Sequence, residues 1–271
     1  MLKGLLYPHN KLLGIKIESR MNPLPYLQEL TLKRQEIDSF EVYPFSNPAI
    51  KQLESLEFSK EVTIFVGENG SGKSTLLEAI AVGLGFNAEG GTKNFNFGTR
   101  NTHSNLSEFL RLSRSYKKYR DGFFLRAESF YNVATNIDEL DEAPSFGPPI
   151  KDSYGGISLH HQSHGESFLS LMVERFGGNG LYLLDEPEAA LSPTRQLAVL
   201  SRMSQLIKDH SQFVIATHSP ILMAYPGALI YQIDQSGIYP IEYEETEHYE
   251  ITKAFLNNPA PMLKELGVTD T

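Results

Sequence analysis

Apolar residues recur along this chain in two spacings, and the switching between them predicts its architecture. Glu61-Val-Thr-Ile-Phe-Val66 is a run of β-branched and aromatic residues closed by Gly67, the pattern of a strand buried on both faces. From Ser74 to Leu84 the apolar positions fall at Leu76, Leu77, Ile80, Ala81 and Leu84, which is helical spacing. The same exchange continues downstream, with helices expected over Glu166–Phe176 and Pro193–Asp209 and strands over Leu181–Leu184 and Phe213–Thr217. Ile230–Asp234 and Ile238–Tyr243 read as a hairpin across Gln235-Ser-Gly237, and Tyr249–Leu256 as a last helix before Asn-Asn-Pro. Strands alternating with helices imply an α/β fold, a mainly parallel sheet covered on both faces.

The first half is less regular. Leu30–Leu32 and the partly alternating Ile37–Tyr43 read as early strands, Pro44–Pro48 as a turn, and Ile50–Phe58 as a short helix or irregular segment. Gly83 to Gly98 is rich in Gly, Asn and Thr and reads as a loop. A helix is expected over Ser104–Tyr119 and a strand over Phe123–Ala127. Asp138 to Gly156, with three prolines, reads as a surface loop or lid.

Composition narrows the class. With 271 residues and 41% hydrophobic content the chain can bury a sizeable core, and it contains no cysteine, which excludes disulfides and thiolate metal sites. Its longest apolar stretches fall far short of the roughly 18 residues that a membrane span needs, and Tyr7-Pro8-His9-Asn10-Lys11 interrupts any secretory core, so the expected location is the cytosol. A net charge of −9 argues against broad, non-specific binding of nucleic acid. Arg111-Leu-Ser-Arg114-Ser-Tyr-Lys117-Lys118-Tyr-Arg120 is a local exception, either a solvated helix face or a contact surface.

The chemistry concentrates at Gly67-Glu68-Asn69-Gly70-Ser71-Gly72-Lys73-Ser74, which fits the phosphate-loop pattern G-x-x-x-x-G-K-[ST]. Glycines let backbone N–H groups converge on phosphate oxygens, and the following helix adds the positive end of its dipole. Lys73 would reach the β- and γ-phosphates, Ser74 offers a hydroxyl to Mg²⁺, and Thr75 packs or contacts the α-phosphate. ATP with magnesium is therefore the expected ligand. Leu181-Tyr-Leu-Leu-Asp185-Glu186 brings two carboxylates to a buried strand end, which is costly unless a cation lies nearby. Asp185 is expected on the magnesium side and Glu186 as general base or water-positioning residue.

Asp185-Glu-Pro-Glu-Ala-Ala-Leu-Ser-Pro193 resembles the Walker B and D-loop run of ABC-type ATPases, and Thr217-His218-Ser219-Pro220 resembles their switch histidine. Ser163-His164-Gly165-Glu166 stands where that superfamily has its signature motif. The resemblance covers roughly residues 31–230. It implies a P-loop NTPase fold of ABC-ATPase type, a mixed, mainly parallel sheet flanked by helices. An N-terminal extension (1–30) would precede a single domain (31–271) with a helical or lid insertion at about 99–160. It further implies that His218 contacts the γ-phosphate and that Ser163 and Gly165 serve the ATP of a partner subunit, giving an ATP-dependent homodimer. Glu128 stands where the superfamily has its Q-loop glutamine, as a magnesium-side ligand or a surface carboxylate. Ser192 replaces the usual D-loop Asp, and Tyr43 or Phe45 would stack on adenine. The wording around the phosphate loop, with Arg126-Ala-Glu-Ser-Phe130, is similar to small stand-alone bacterial ATPases of the RecF, SMC and AAA-ATPase-like branch. Three functions remain open at this point. They are a soluble dimeric ATPase working as a mechanical switch, the nucleotide-binding subunit of a membrane transporter, and an ATP-dependent module of a DNA-repair or defence complex.

Overall fold

A computed structural model of the chain describes residues 25–93, 104–128, 130–142, 149–154, 156 and 164–268. Ser163 and residues 1–24 of the expected extension lie outside the described residues.

Two sheets form the frame. The larger has six strands in the order β5-β6-β7-β3-β8-β9, where β3 is Val62–Val66, β5 Asp121–Arg126, β6 Gly180–Asp185, β7 Gln212–Ala216, β8 Leu229–Asp234 and β9 Gly237–Pro240. All neighbours are parallel except β8 and β9, which form the hairpin expected around Gly237. The smaller is antiparallel, with β1 (Leu27–Leu32) between β2 (Ser55–Glu57) and β4 (Leu110–Arg114). The helices are α1 (Pro48–Gln52), α2 (Lys73–Gly83), α3 (Phe130–Glu142), α4 (His164–Ser170), α5 (Pro193–Lys208), α6 (Pro220–Met223), α7 (Glu247–Asn257) and α8 (Pro259–Glu265). No helix among the described residues is long and apolar enough to cross a membrane.

The large sheet separates two cores, and strand alternation decides which side each residue serves. Phe65, Leu181, Leu183 and Val214 face α2 and the small sheet, together with Leu76, Leu77 and Ile80. Ile64, Tyr182, Leu184 and Phe213 face the other way, onto Val199 and Met203 of α5 and Val133 and Ile137 of α3. Every residue of β3, β6 and β7 is buried, which is why these strands read as unbroken apolar runs.

Several local expectations are corrected. Ser104–Tyr119 is not a helix. A short 3₁₀ turn at Asn105–Phe109 leads into β4, whose Leu110 and Leu112 pair with Leu32 and Leu30 of β1. The pairing partner lies some eighty residues earlier, beyond the reach of a local pattern. Ile37–Tyr43 forms no strand, because both edges of β1 are already taken by β2 and β4. Val42 is left exposed there. Asp138–Glu142, expected as the start of a loop, is the last part of α3, whose Val133, Ala134 and Ile137 bury one helical stripe. The helix after Pro193 starts as expected, with Ser192 as its N-cap accepting from the Arg195 N–H. The stretch from Leu171 to Arg175 continues α4 as a π-helical turn. Beyond the Asn-Asn-Pro stop, Pro259 opens a further helix, α8, instead of ending the structure.

Candidate functional site

Strand order assembles the site. β6, β7 and β3 are consecutive in the sheet, and Asp185, Ala216 and Phe65 stand level across them. The residues that follow the three carboxyl ends are therefore neighbours: the phosphate loop after β3, Glu186 after β6, and Thr217-His218 after β7. Parallel α/β sheets place ligands at this edge.

The loop from Gly67 to Gly72 turns sharply because its glycines adopt backbone angles closed to other residues. Gly67 has φ +149°, and a Cβ there would lie 2.2 Å from the Ile233 carbonyl oxygen. Gly70 and Gly72 have φ of +80° and +107°. Asn47, ahead of α1, steadies the loop by donating from Nδ2 to the Ser71 carbonyl at 3.1 Å, while its Oδ1 caps α1. Glu68 and Asn69 form the loop's exposed lip. Lys73 begins α2 and is buried, its Nζ donating to the carbonyls of Gly67 (2.8 Å) and Glu68 (2.9 Å). Burial pushes its pKa down, against the pull of Glu186, Asp185 and Glu188. A buried ammonium resting on carbonyls at the mouth of a glycine loop is poised to trade them for phosphate oxygens.

Ser74 Oγ donates to Asp185 Oδ1 at 2.9 Å, joining two motifs 111 residues apart. Burial raises the Asp185 carboxyl to about 6, opposed by the Ser74 hydrogen bond and by Arg126. An adjacent hydroxyl and carboxylate form a hard oxygen pair, which fits magnesium. That ion commonly takes one or two protein ligands and completes its shell with phosphate oxygens and water. No denser cluster of His, Asp or Glu suited to a metal occurs among the described residues. Glu128 is exposed and pairs with Arg126 Nη2 at 3.3 Å. Arg126, in register with Asp185 on β5, places Nε 3.8 Å from its Oδ2 and Nη1 2.7 Å from Glu78. A guanidinium thus borders Asp185 where the sequence directed attention to Glu128.

Glu186 has φ +49°, a left-handed conformation rare outside glycine, held by its N–H donating to the Ala216 carbonyl at 2.9 Å. Its Oε1 lies 3.7 Å from His218 Nε2. The His218 backbone N–H donates to Glu188 Oε1 at 2.6 Å, so Glu188, from the same loop, sets the height of the histidine. His218 Nδ1 lies 3.0 Å from Nε2 of His248 in α7. Burial pushes both imidazoles below their ordinary pKa, and for His218 Lys73 adds to this. Two neutral rings at this distance share one proton, one donating and the other accepting. Sequence reasoning missed Glu188 and His248. Glu188 sat in plain view inside the Asp-Glu-Pro-Glu run, whereas nothing local marks a histidine thirty residues past His218.

The two adenine candidates separate clearly. Phe45 is buried, edge-on to Phe40 and Phe109, and cannot meet a ligand. Tyr43 is 64% exposed, and its hydroxyl lies 3.1 Å from Thr75 Oγ1. Gly165, the second residue of α4, is buried against the Ala190 carbonyl and the Arg195 guanidinium, where a Cβ would not fit. Glu166 pairs with Arg195 at 3.5 Å. Among the described residues no hydrogen bond joins Gly165 to the phosphate loop of its own chain.

Comparison with known proteins agrees with this geometry at the level of the family. The family model described as "AAA domain" matches residues 36–173, more than half of the chain. A second, described as "AAA domain, putative AbiEii toxin, Type IV TA system", matches residues 150–224. No curated protein matches. Among solved structures, the chain is similar to cbiO1 from Clostridium perfringens, part of the ABC transporter complex cbiONQ (16% identity, 79% of this chain and 91% of that one, TM-score 0.42). It is also similar to the SMC head domain from Thermotoga maritima (19% identity, 80% and 99%, TM-score 0.41). An ATP-binding cassette of an ABC transporter gives 18% identity over 76% and 88%, with a TM-score of 0.45.

Proposed function

The chain belongs to the AAA-domain family of P-loop ATPases, and from that premise we propose that it binds ATP with magnesium, hydrolyses it, and works as a nucleotide-gated homodimer. The observation that carries this reading is the Ser74–Asp185 hydrogen bond, which closes the phosphate loop onto a second carboxylate motif at one sheet edge.

Each residue then has a task. Lys73 exchanges the Gly67 and Glu68 carbonyls for β- and γ-phosphate oxygens, while loop N–H groups hold the remaining oxygens. Ser74 and Asp185 hold magnesium, which would neutralise charge accumulating on the phosphates. Glu186 takes a proton from water as its oxygen bonds to the γ-phosphorus. The bond from that phosphorus to the bridging oxygen breaks, and ADP keeps the electron pair. His218 donates from Nε2 to the transferred phosphoryl group. That donation requires the proton on Nε2 and a lone pair on Nδ1, a tautomer that His248 enforces by donating from its own Nε2. Tyr43 covers the adenine. Ser163 and Gly165 serve the ATP of the partner chain.

The test combines turnover with mass. Glu186→Gln should hydrolyse ATP at least about a hundredfold more slowly and, by light scattering, double in mass with Mg·ATP. Wild-type turnover in Glu186→Gln would remove the general base, and a monomer under every condition would remove the dimer. Lys73→Ala retaining ordinary ATP affinity would overturn the reading of the loop itself.

A further inference from the structure

The cations of the Arg111–Arg120 segment, expected on a helix face, are gathered elsewhere by the fold. After β4 the chain loops back through Ser115–Arg120 to start β5, and this loop walls a cleft of about 460 Å³. Lys93, Arg114, Lys117, Lys118, Arg120 and Arg175 line it, with Asp121 as the single carboxylate among the described residues. Asp121 is already committed, accepting from Arg175 Nη1 (2.8 Å), the Gly177 N–H (3.0 Å) and the Tyr182 hydroxyl (2.7 Å). No ion pair joins Lys93, Arg114, Lys117, Lys118 or Arg120 to a carboxylate among the described residues. In a chain of net charge −9 that is a pronounced local excess of positive charge.

The cleft also holds unmet polar demand. The Tyr119 hydroxyl is buried without a hydrogen-bond partner among the described residues. Its ring stacks on Phe86 and carries the Lys93 ammonium 4.7 Å above its centroid. Burial and the nearby Arg114 both push the Lys93 pKa down, so two cations crowd one another with no ion pair to either among the described residues. An anion would relieve this arrangement.

This cleft is not the nucleotide site. Asp121 opens β5, whereas Arg126, its last residue, stands level with Asp185. Five strand steps at about 3.3 Å each place the two sites about 17 Å apart, at opposite edges of one sheet.

We propose that the cleft binds a single strand of nucleic acid, the lysines and arginines holding successive phosphates and Tyr116 stacking on a base. Several cations around one opening suit a chain of phosphates better than one carboxylate. Tyr116, on the same loop, is 81% exposed, and only an unpaired strand offers it a free base face. A duplex would keep its bases stacked inside.

The test is fluorescence anisotropy with a labelled oligothymidylate about 12 nucleotides long. Binding should weaken steeply with salt, the slope of log K against log salt being about −2 to −3 for three to four phosphate contacts. Lys117→Glu with Lys118→Glu should lower affinity at least about tenfold and flatten the slope. Tyr116→Ala should lower affinity about tenfold with the slope unchanged. All three substitutions lie outside the nucleotide site, so basal ATP turnover should persist and serves as a check on folding. Absence of binding by the wild type would overturn the proposal. So would equal affinity for a duplex of the same length, or an oligonucleotide bound no more tightly than inorganic triphosphate, which would mark a small-anion site. The outcome does not depend on whether ATP is hydrolysed.

Discussion

Replacing Asp185 with asparagine keeps the shape of the side chain and removes its charge. In the ligand-free protein that charge stands at the end of β6, only 5% exposed, and burial lifts its carboxyl from 3.8 to about 6. Because the folded-state value lies above the unfolded one, the folded protein holds the proton more tightly. Stability is therefore fully present below about pH 3.8 and is lost as pH rises through about 6. At about 1.36 kcal/mol per pH unit, the gap between 3.8 and about 6 is a penalty of about 3 kcal/mol at neutral pH. Asparagine escapes this penalty while its Oδ1 still accepts from the Ser74 hydroxyl. Asp185→Asn should thus be about 3 kcal/mol more stable than the wild type in urea denaturation at about pH 7.5 with EDTA. The advantage should shrink below about 1 kcal/mol near pH 4, where the wild-type carboxyl is protonated in the folded state. Adding Mg·ATP should close this gap at a hundredfold excess over Kd, worth about 2.7 kcal/mol, and reverse the order at a thousandfold excess, worth about 4.1 kcal/mol, because the wild type alone keeps the carboxylate for the metal–nucleotide. Turnover should be lost in the variant. A variant no more stable than the wild type at neutral pH, with a difference that ignores pH, would refute the reasoning that burial leaves this carboxylate short of a cation.

Other predictions rest on separate features. Gly67→Ala puts a methyl 2.2 Å from the Ile233 carbonyl oxygen, so the loop or β8 must shift. A loss of about 1–3 kcal/mol in stability and at least about tenfold in ATP affinity is expected, and calorimetry showing neither would mean the approach is not as tight as described. Tyr43→Ala touches an exposed ring, so its stability should stay within about 0.5 kcal/mol while KM for ATP rises about tenfold. An unchanged KM would release Tyr43 from the adenine role. At His248 the amide of Gln matches Nε2 and that of Asn matches Nδ1. His248→Gln should keep most of the turnover, while His248→Asn and His248→Ala lose about tenfold in kcat at constant KM. Equal kcat in all three variants would limit His248 to packing.

The site and the fold were legible to different degrees, and the reason is range. Residues 67–74, Asp185-Glu186 and His218 announce themselves because each motif must satisfy its own local geometry. A loop with φ of +149°, +80° and +107° accepts only glycine, and that demand is written in the residues themselves. The interior strands were equally clear, since burial on both faces leaves unbroken apolar runs. Where a segment's conformation depended on a distant partner, the local pattern misled. Leu110–Arg114 became a strand because β1 offered an edge, and with β2 on its other side β1 has none left for Ile37–Tyr43.

From its sequence alone this chain was settled as an α/β P-loop protein carrying ATPase motifs, because the chemistry of phosphate binding constrains neighbouring residues. Tertiary structure alone decided which side chains meet. The order β6-β7-β3 brings Ser74 to Asp185, α7 folds back to set His248 against His218, and Arg126 comes to rest beside Asp185. Those contacts join residues thirty to more than a hundred positions apart, and packing, not local preference, brings them together.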